Sequence, residues 1–302
     1  MQTSLALCVL CAVFYAWQAA PHRPTGEMQV KMLKVNDVEL AYVEEGQGET
    51  VVFVHGGGVG DWRNWEVLRP FISGKYHYVS LSRRYHHPNP WMDDGRNYTM
   101  AQHVEDVAAF IRALKVGKVH LVGNSYGGNV VGRVALKYPE LLRTVVAGEG
   151  LIAPVPAPVS AEDKAALAAA QKENEKFRQA IEAGDLRQAA ILQYDGALGE
   201  QGAFEKLPPE RQEQLLYNAK TLVPEQRMPT PLTCEQLRTL SVPALLIRGE
   251  KTNAPRRYRY DMTVSCLPST AEAAIIPGAP HSWYMRNPED SAKAILTFIA
   301  KH

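Results

Sequence analysis

The chain has 302 residues, with 33 basic and 32 acidic side chains for a net charge of +1, and is 46% hydrophobic and 22% charged. That length suits one large core carrying an insertion. Balanced charge gives nucleic acid no electrostatic footprint to bind, and the ordinary composition argues against a multi-span membrane protein.

The first 27 residues stand apart. Residues 2–21 carry no charged side chain, and residues 5–17 are almost wholly apolar. This is the length of a signal peptide and short of the ~20 apolar residues of a spanning helix. Three features count against cleavage: no Lys or Arg precedes the apolar run, Pro21 follows Ala19-Ala20, and Trp17 or Gln18 stands where a small residue is wanted. The expectation is a cleaved signal and a secreted or periplasmic protein. The alternatives are an uncleaved membrane anchor over residues 5–17, or translation from Met28 and a cytoplasmic protein. Cys8 and Cys11 lie in this leader; Cys234 and Cys266 lie in the body, where they either pair or remain free thiols. Beyond the leader no Cys-x-x-Cys or His-x-x-x-His spacing occurs, so no metal is expected.

Residues 29–33 and 38–43 alternate apolar and polar around Asn36-Asp37, the turn chemistry of an antiparallel hairpin. Short apolar runs follow at residues 50–54, 77–81, 118–122, 144–147, 242–248 and 272–276, as in strands buried on both faces. Between them, residues 99–114 place Val104, Val107, Ala108 and Ile111 on one helical face, with a capping box predicted from Thr99 and Gln102. Strand and helix alternate, so the fold class is α/β with a mainly parallel sheet. The alternation stops at residues 151–237, where Pro154, Pro156 and Pro158 lead into helix-forming sequence. We take this as a helical cap, dividing a core of residues 28–150 and 238–302.

The chemistry concentrates at strand ends. Gly123-Asn124-Ser125-Tyr126-Gly127 lies between an apolar strand and the helical residues 129–137. There a turn too sharp for large flanking residues projects the Ser side chain. A Ser nucleophile needs a base. His281, after the last strand and the turn Gly278-Ala279-Pro280, is the histidine with the right placement. Backbone amides for an oxyanion come from His55-Gly56-Gly57-Gly58, after the strand at 50–54, with Gly57 and Tyr126 as the donors.

With glycine loop, elbow and late His in this order, residues 28–302 resemble the α/β-hydrolase superfamily. The resemblance implies an eight-stranded, mostly parallel sheet flanked by helices, a helical lid, a Ser-His-acid triad and no cofactor. It also implies an Asp in a Gly-x-x-Asp turn after the penultimate strand. Here that turn reads Gly249-Glu250-Lys251-Thr252-Asn253, with Thr252 at the acid's place. A neutral group there leaves the imidazolium unsupported. Some members of the superfamily take their acid from the end of the sixth strand, which makes Glu149 the expected acid. Glu250, Asp261 or a cap carboxylate are alternatives. A second departure is residues 80–90, SLSRRYHHPNP, where Arg84 matches the family's Arg while its Asp and Gly are missing. This looks like a lactonase- or esterase-like subset.

His55, Gly58, Tyr85, His86 and Trp91 are expected at the substrate pocket. The expected reaction is hydrolysis of a small-molecule carboxylic ester or lactone by Ser125, His281 and Glu149. The Gly-Asn-Ser string is also similar to hydrolases of carbon–carbon bonds in ring-cleavage products, which normally keep the late Asp. A third alternative is a non-catalytic small-ligand-binding protein on the same fold.

Overall fold

Residues with branched apolar side chains make the centre of the sheet. The computed structural model describes residues 26–150, 161–227 and 230–302. Residues 1–25 of the leader and the run through Pro154, Pro156 and Pro158 lie outside the described residues. Strand β1 (Lys31–Val35) turns through Asn36, at φ 50°, into β2 (Val38–Glu45). Asn tolerates that left-handed conformation, as the predicted hairpin requires. Then come β3 (Thr50–Val54), a short helix α1 (Arg69–Ile72), β4 (His77–Leu81), α2 (Met100–Leu114), β5 (Val119–Asn124), α3 (Tyr126–Lys137) and β6 (Leu142–Gly148). Helices α4 (Ala161–Glu182), α5 (Leu186–Leu198), α6 (Pro209–Asn218), α7 (Leu222–Glu225) and α8 (Cys234–Arg238) intervene before β7 (Ala244–Gly249). The chain ends with α9 (Ala254–Cys266), β8 (Glu272–Ile276), α10 (Trp283–Arg286) and α11 (Pro288–Ile299).

The eight strands form one sheet in the order β1-β2-β4-β3-β5-β6-β7-β8. The hairpin and the β2–β4 pair are antiparallel and every other pair is parallel. Every residue of β3 and β5 is buried, as expected of strands covered on both faces. Their side chains alternate between two cores. Val52 and Val54 join Val104 and Val107 of α2, Val130 and Val134 of α3 and Tyr260 of α9. Val51 and Phe53 join Trp65, Ile72 of α1, Trp283 of α10 and Ile295 of α11. This is the α/β-hydrolase architecture with a helical insertion between β6 and β7. The insertion has a core of its own, containing Ala189, Ala190, Phe204, Leu215 and Leu222.

One local expectation changes and one open question closes. The Thr99 hydroxyl caps α2 by accepting the Gln102 N–H, but no capping box closes. The Gln102 amide reaches forward instead and donates to Asp106 Oδ1 at 3.0 Å, a charge-assisted partner one turn away. The cysteine question, open in the sequence, resolves to a disulfide: Cys234 at the start of α8 is bonded to Cys266 at the end of α9, with Cα atoms 4.8 Å apart. Among the described residues no helix is long and apolar enough to cross a membrane.

Candidate active site

Strands β5, β6, β7 and β8 are neighbours in the sheet and parallel, so their carboxyl ends emerge side by side. Ser125 follows β5, Glu149 follows β6, Thr252 lies just beyond β7 and His281 just beyond β8. Such an edge is where ligands bind in open α/β sheets.

Ser125 sits at φ 56° and ψ −122°, a conformation that costs a non-glycine residue free energy and that the surroundings must impose. The Ser125 N–H donates to Gly148 O at 2.7 Å. Gly127 lies so close to β3 that a Cβ there would stand 2.4 Å from the carbonyl oxygens of Val54 and His55. The elbow glycine is therefore required by packing. Asn124, immediately before Ser125, donates to the His281 carbonyl at 3.3 Å and accepts the Trp283 indole N–H at 2.8 Å. It ties the elbow to the histidine loop, and neither link was legible in the sequence.

His281 is buried, and its Nδ1 lies 2.6 Å from Glu149 Oε2. Glu149, at φ 43°, aims back across the strand ends. Its other oxygen accepts the Gly249 N–H at 2.9 Å, and the Thr252 hydroxyl donates to Oε2 at 2.7 Å. Thr252 thus stands at the vacant acid position and holds the displaced carboxylate. Glu250 points elsewhere, accepting the Gly278 N–H at 2.7 Å, and Asp261 is exposed on α9. Burial opposes charge on Glu149, but His281, Thr252 and the Gly249 N–H outweigh it and hold the carboxyl below its ordinary value. Burial, with the Arg256 charge, lowers His281 below the ordinary histidine value despite the attraction of Glu149. A neutral imidazole at neutral pH can accept a proton. Neither Ser125 Oγ nor His281 Nε2 is hydrogen-bonded to any described residue.

The glycine loop adjoins the elbow. A Cβ on Gly56 would lie 3.4 Å from Ser125 Cβ. The N–H groups of Gly57 and Tyr126 have no hydrogen-bond partner among the described residues, and Tyr126 is the first residue of α3, where a helix leaves its N–H groups unsatisfied. Of the residues expected at the pocket, His55 and His86 are fully buried and turned into the protein. The His55 ring bonds Gly56 O at 2.8 Å and accepts the Arg83 N–H at 2.9 Å; His86 bonds Gly60 O at 2.8 Å. They support the loop from behind. Tyr85 donates to Asp93 at 2.8 Å and packs on Trp91, ring centres 4.7 Å apart. Gly58 is covered by the insertion, through Glu225 and Gln193.

Two residues that sequence reasoning passed over are prominent. Arg83 is buried at the centre of the polar group behind the loop, while its neighbour Arg84 pairs with Asp106 and Asp37, both at 2.7 Å. Glu225 closes that group from the insertion side.

Strand, elbow, helix and late histidine on this sheet define an α/β-hydrolase. Residues 51–294 match the Alpha/beta hydrolase family, and the chain belongs to it. It is 31% identical over 131 residues to a 2-hydroxy-6-oxo-6-phenylhexa-2,4-dienoate hydrolase of Comamonas testosteroni, a match spanning 40% of this chain and 45% of that protein. The chain therefore aligns with less than half the length of that relative. Similarity to a 2-(acetamidomethylene)succinate hydrolase of Mesorhizobium japonicum is lower, 25% over 280 residues, but covers 89% of this chain and 94% of the relative. Among solved structures, a carboxylesterase of Bacillus subtilis superposes with a TM-score of 0.72 at 18% identity, covering 92% of this chain and 93% of that one. The relatives found by sequence are both hydrolases by name, and the solved carboxylesterase shows the same fold.

Proposed function

We propose that the chain is a serine hydrolase that opens a carboxylic ester or lactone through an acyl-enzyme. Ser125 Oγ attacks the acyl carbon while His281 Nε2 takes its proton. Glu149 holds the Nδ1–H tautomer and offsets the imidazolium charge, and the amides of Gly57 and Tyr126 receive the oxyanion. The tetrahedral adduct expels the alkoxide, which takes the proton from His281. Water, deprotonated by the same imidazole, then releases the acid and regenerates Ser125. The observation that carries this reading is the 2.6 Å contact of Glu149 with His281, with the Thr252 hydroxyl turned onto the same carboxylate oxygen.

A second reading, carbon–carbon bond hydrolysis, is supported by the dienoate hydrolase of Comamonas testosteroni to which the chain is similar. The two separate in one experiment. The folded protein is labelled with a fluorophosphonate and assayed on p-nitrophenyl esters, lactones and a vinylogous 1,5-diketone. We expect a Ser125 adduct and ester or lactone turnover. Absence of the adduct removes the hydrolase reading, and a labelled protein that acts on the diketone alone selects the second. We further propose an oxidising compartment, in keeping with the leader and supported by the Cys234–Cys266 disulfide.

A further inference from the structure

The glycine loop is held by the insertion more than by the sheet. The Gly58 N–H donates to Glu225 Oε2, and the Val59 N–H donates to Gln193 Oε1 at 3.0 Å. The Thr221 hydroxyl donates to Gly58 O at 2.9 Å, and the Asn218 amide to Val59 O and Gly60 O at 2.9 and 3.1 Å. Asn218 and Thr221 are fully buried, and the Val59 side chain belongs to the insertion's core with Ala189, Phe204 and Leu222. A cover that only shielded the cleft would have no need to satisfy four consecutive peptide units of this loop.

The two peptide units flanking Gly57 are joined by one relay. Arg83 donates through NH2 to Gly56 O at 2.8 Å, and both its terminal nitrogens donate to the Tyr98 hydroxyl at 3.3 Å. Tyr98 donates in turn to Glu225 Oε2 at 3.3 Å, the oxygen that accepts the Gly58 N–H. Gly56 C=O and Gly57 N–H belong to one planar peptide unit and point in opposite directions. Arg83 therefore sets the direction of the Gly57 N–H by holding its carbonyl, and Glu225 fixes the next unit. The Glu225 carboxyl also lies against Gly57 itself, where a Cβ would overlap it.

We propose that Glu225 is a positioning residue for turnover: through Tyr98 and Arg83 on one side and the Gly58 N–H on the other, it aims the Gly57 amide at the oxyanion. The inference rests on the acyl-transfer reading above. A misaimed donor loses part of the ~10²- to 10³-fold that one oxyanion donor supplies. Glu225→Ala should therefore lower kcat on an ester about 10- to 100-fold with KM nearly unchanged, and weaken inhibition by a boronic acid, whose tetrahedral adduct uses the same donors, by a similar factor. Burial pushes the Glu225 carboxyl above its ordinary value, against the pull of Arg83, so a neutral amide is a close substitute. Glu225→Gln, which keeps an acceptor for Gly58, should recover most of kcat. Tyr98→Phe, which removes only the bridging hydroxyl, should show a smaller loss of the same kind, and it carries the test if the Ala variant does not fold. Folded Glu225→Ala or Tyr98→Phe with wild-type kcat and boronate affinity overturns the proposal, as does a loss confined to KM. Failure of the underlying reading would look different: the wild-type protein would itself lack the Ser125 adduct.

Discussion

Two groups meet at one edge of this sheet and are built in opposite ways. Ser125, Glu149, Thr252 and His281 each stand at or just past the end of one of four adjacent parallel strands, β5 to β8. Ladder register and short backbone bonds place them, with Asn124 and Thr252 as the side-chain links. The glycine loop after β3 is shaped instead by side chains of the insertion, the buried Asn218 and Thr221 and the half-buried Gln193 and Glu225. The residues proposed to move protons are thus set by the sheet, and the amide proposed for the oxyanion by packing across to the insertion. Substitutions on the sheet side should remove chemistry, and those on the insertion side should detune it.

The largest effect expected on the sheet side concerns the acid. Glu149→Gln keeps the shape but presents the histidine with a neutral amide, which disfavours the productive tautomer and the imidazolium. We expect turnover of a p-nitrophenyl ester to fall by about three orders of magnitude. Glu250→Gln, whose carboxylate only accepts the Gly278 N–H, should leave most activity. A reversal of the two results would move the acid to the end of β7 and break the one-residue-per-strand arrangement.

The sheet side was legible in the sequence because its signals are local. An apolar strand, Gly-Asn-Ser-Tyr-Gly and an apolar helix are contiguous, and the neutral Thr252 in the family's acid turn pointed to Glu149 at the next strand end. The insertion side was not. Arg83 and Arg84 are adjacent in an irregular loop and both are buried, so no period says which one reaches the glycine loop, and sequence matching favoured Arg84. Glu225 lies 167 residues from the Gly58 amide it accepts, and nothing near it distinguishes it from a solvated glutamate. Contacts of that kind depend on how helices dock, which one sequence does not fix. The half-formed cap of α2 failed for a related reason: a partner one turn away at Asp106 competed for Gln102.

Acid pH should separate the two groups by different observables. His281 lies below the ordinary value of about 6.5, through burial and the Arg256 charge. The imidazole must be neutral to accept the Ser125 proton, so kcat/KM should hold through pH 6.5 and fall about tenfold per unit only below the lowered pKa. Behind the glycine loop, burial and then the Arg83 charge push His55, His86 and His103 well below the same value. Unfolded, these three take up protons from about pH 6.5 downward; folded, they do not until much lower. The unfolded state therefore binds more protons in that window, and stability, fully present above it, declines as pH falls. Urea midpoints between pH 7.5 and 5 check the sign. Midpoints that stay level would mean that these rings accept protons in the folded state, and the loop would have lost its neutral support.

The disulfide should matter least for turnover, and that contrast tests whether the insertion acts through its contacts or through its tether. Cys234 opens α8, where the chain returns to the core, and Cys266 closes α9; both ends pack on the core cluster beside α2 and α3, away from the glycine loop. Closing a loop of 32 residues restricts the unfolded chain by about 3 to 4 kcal/mol. Cys234→Ser paired with Cys266→Ser should lower unfolding stability by up to that amount while leaving kcat and KM within about twofold at 25 °C, because none of the groups that hold Gly56, Gly58 or Val59 lies on α8 or α9. Thermal unfolding and steady-state kinetics on the same preparation decide it. A variant as stable as wild type but slow would mean that the covalent tie, and not the buried polar contacts, sets the insertion on the loop, and would merge the two groups into one.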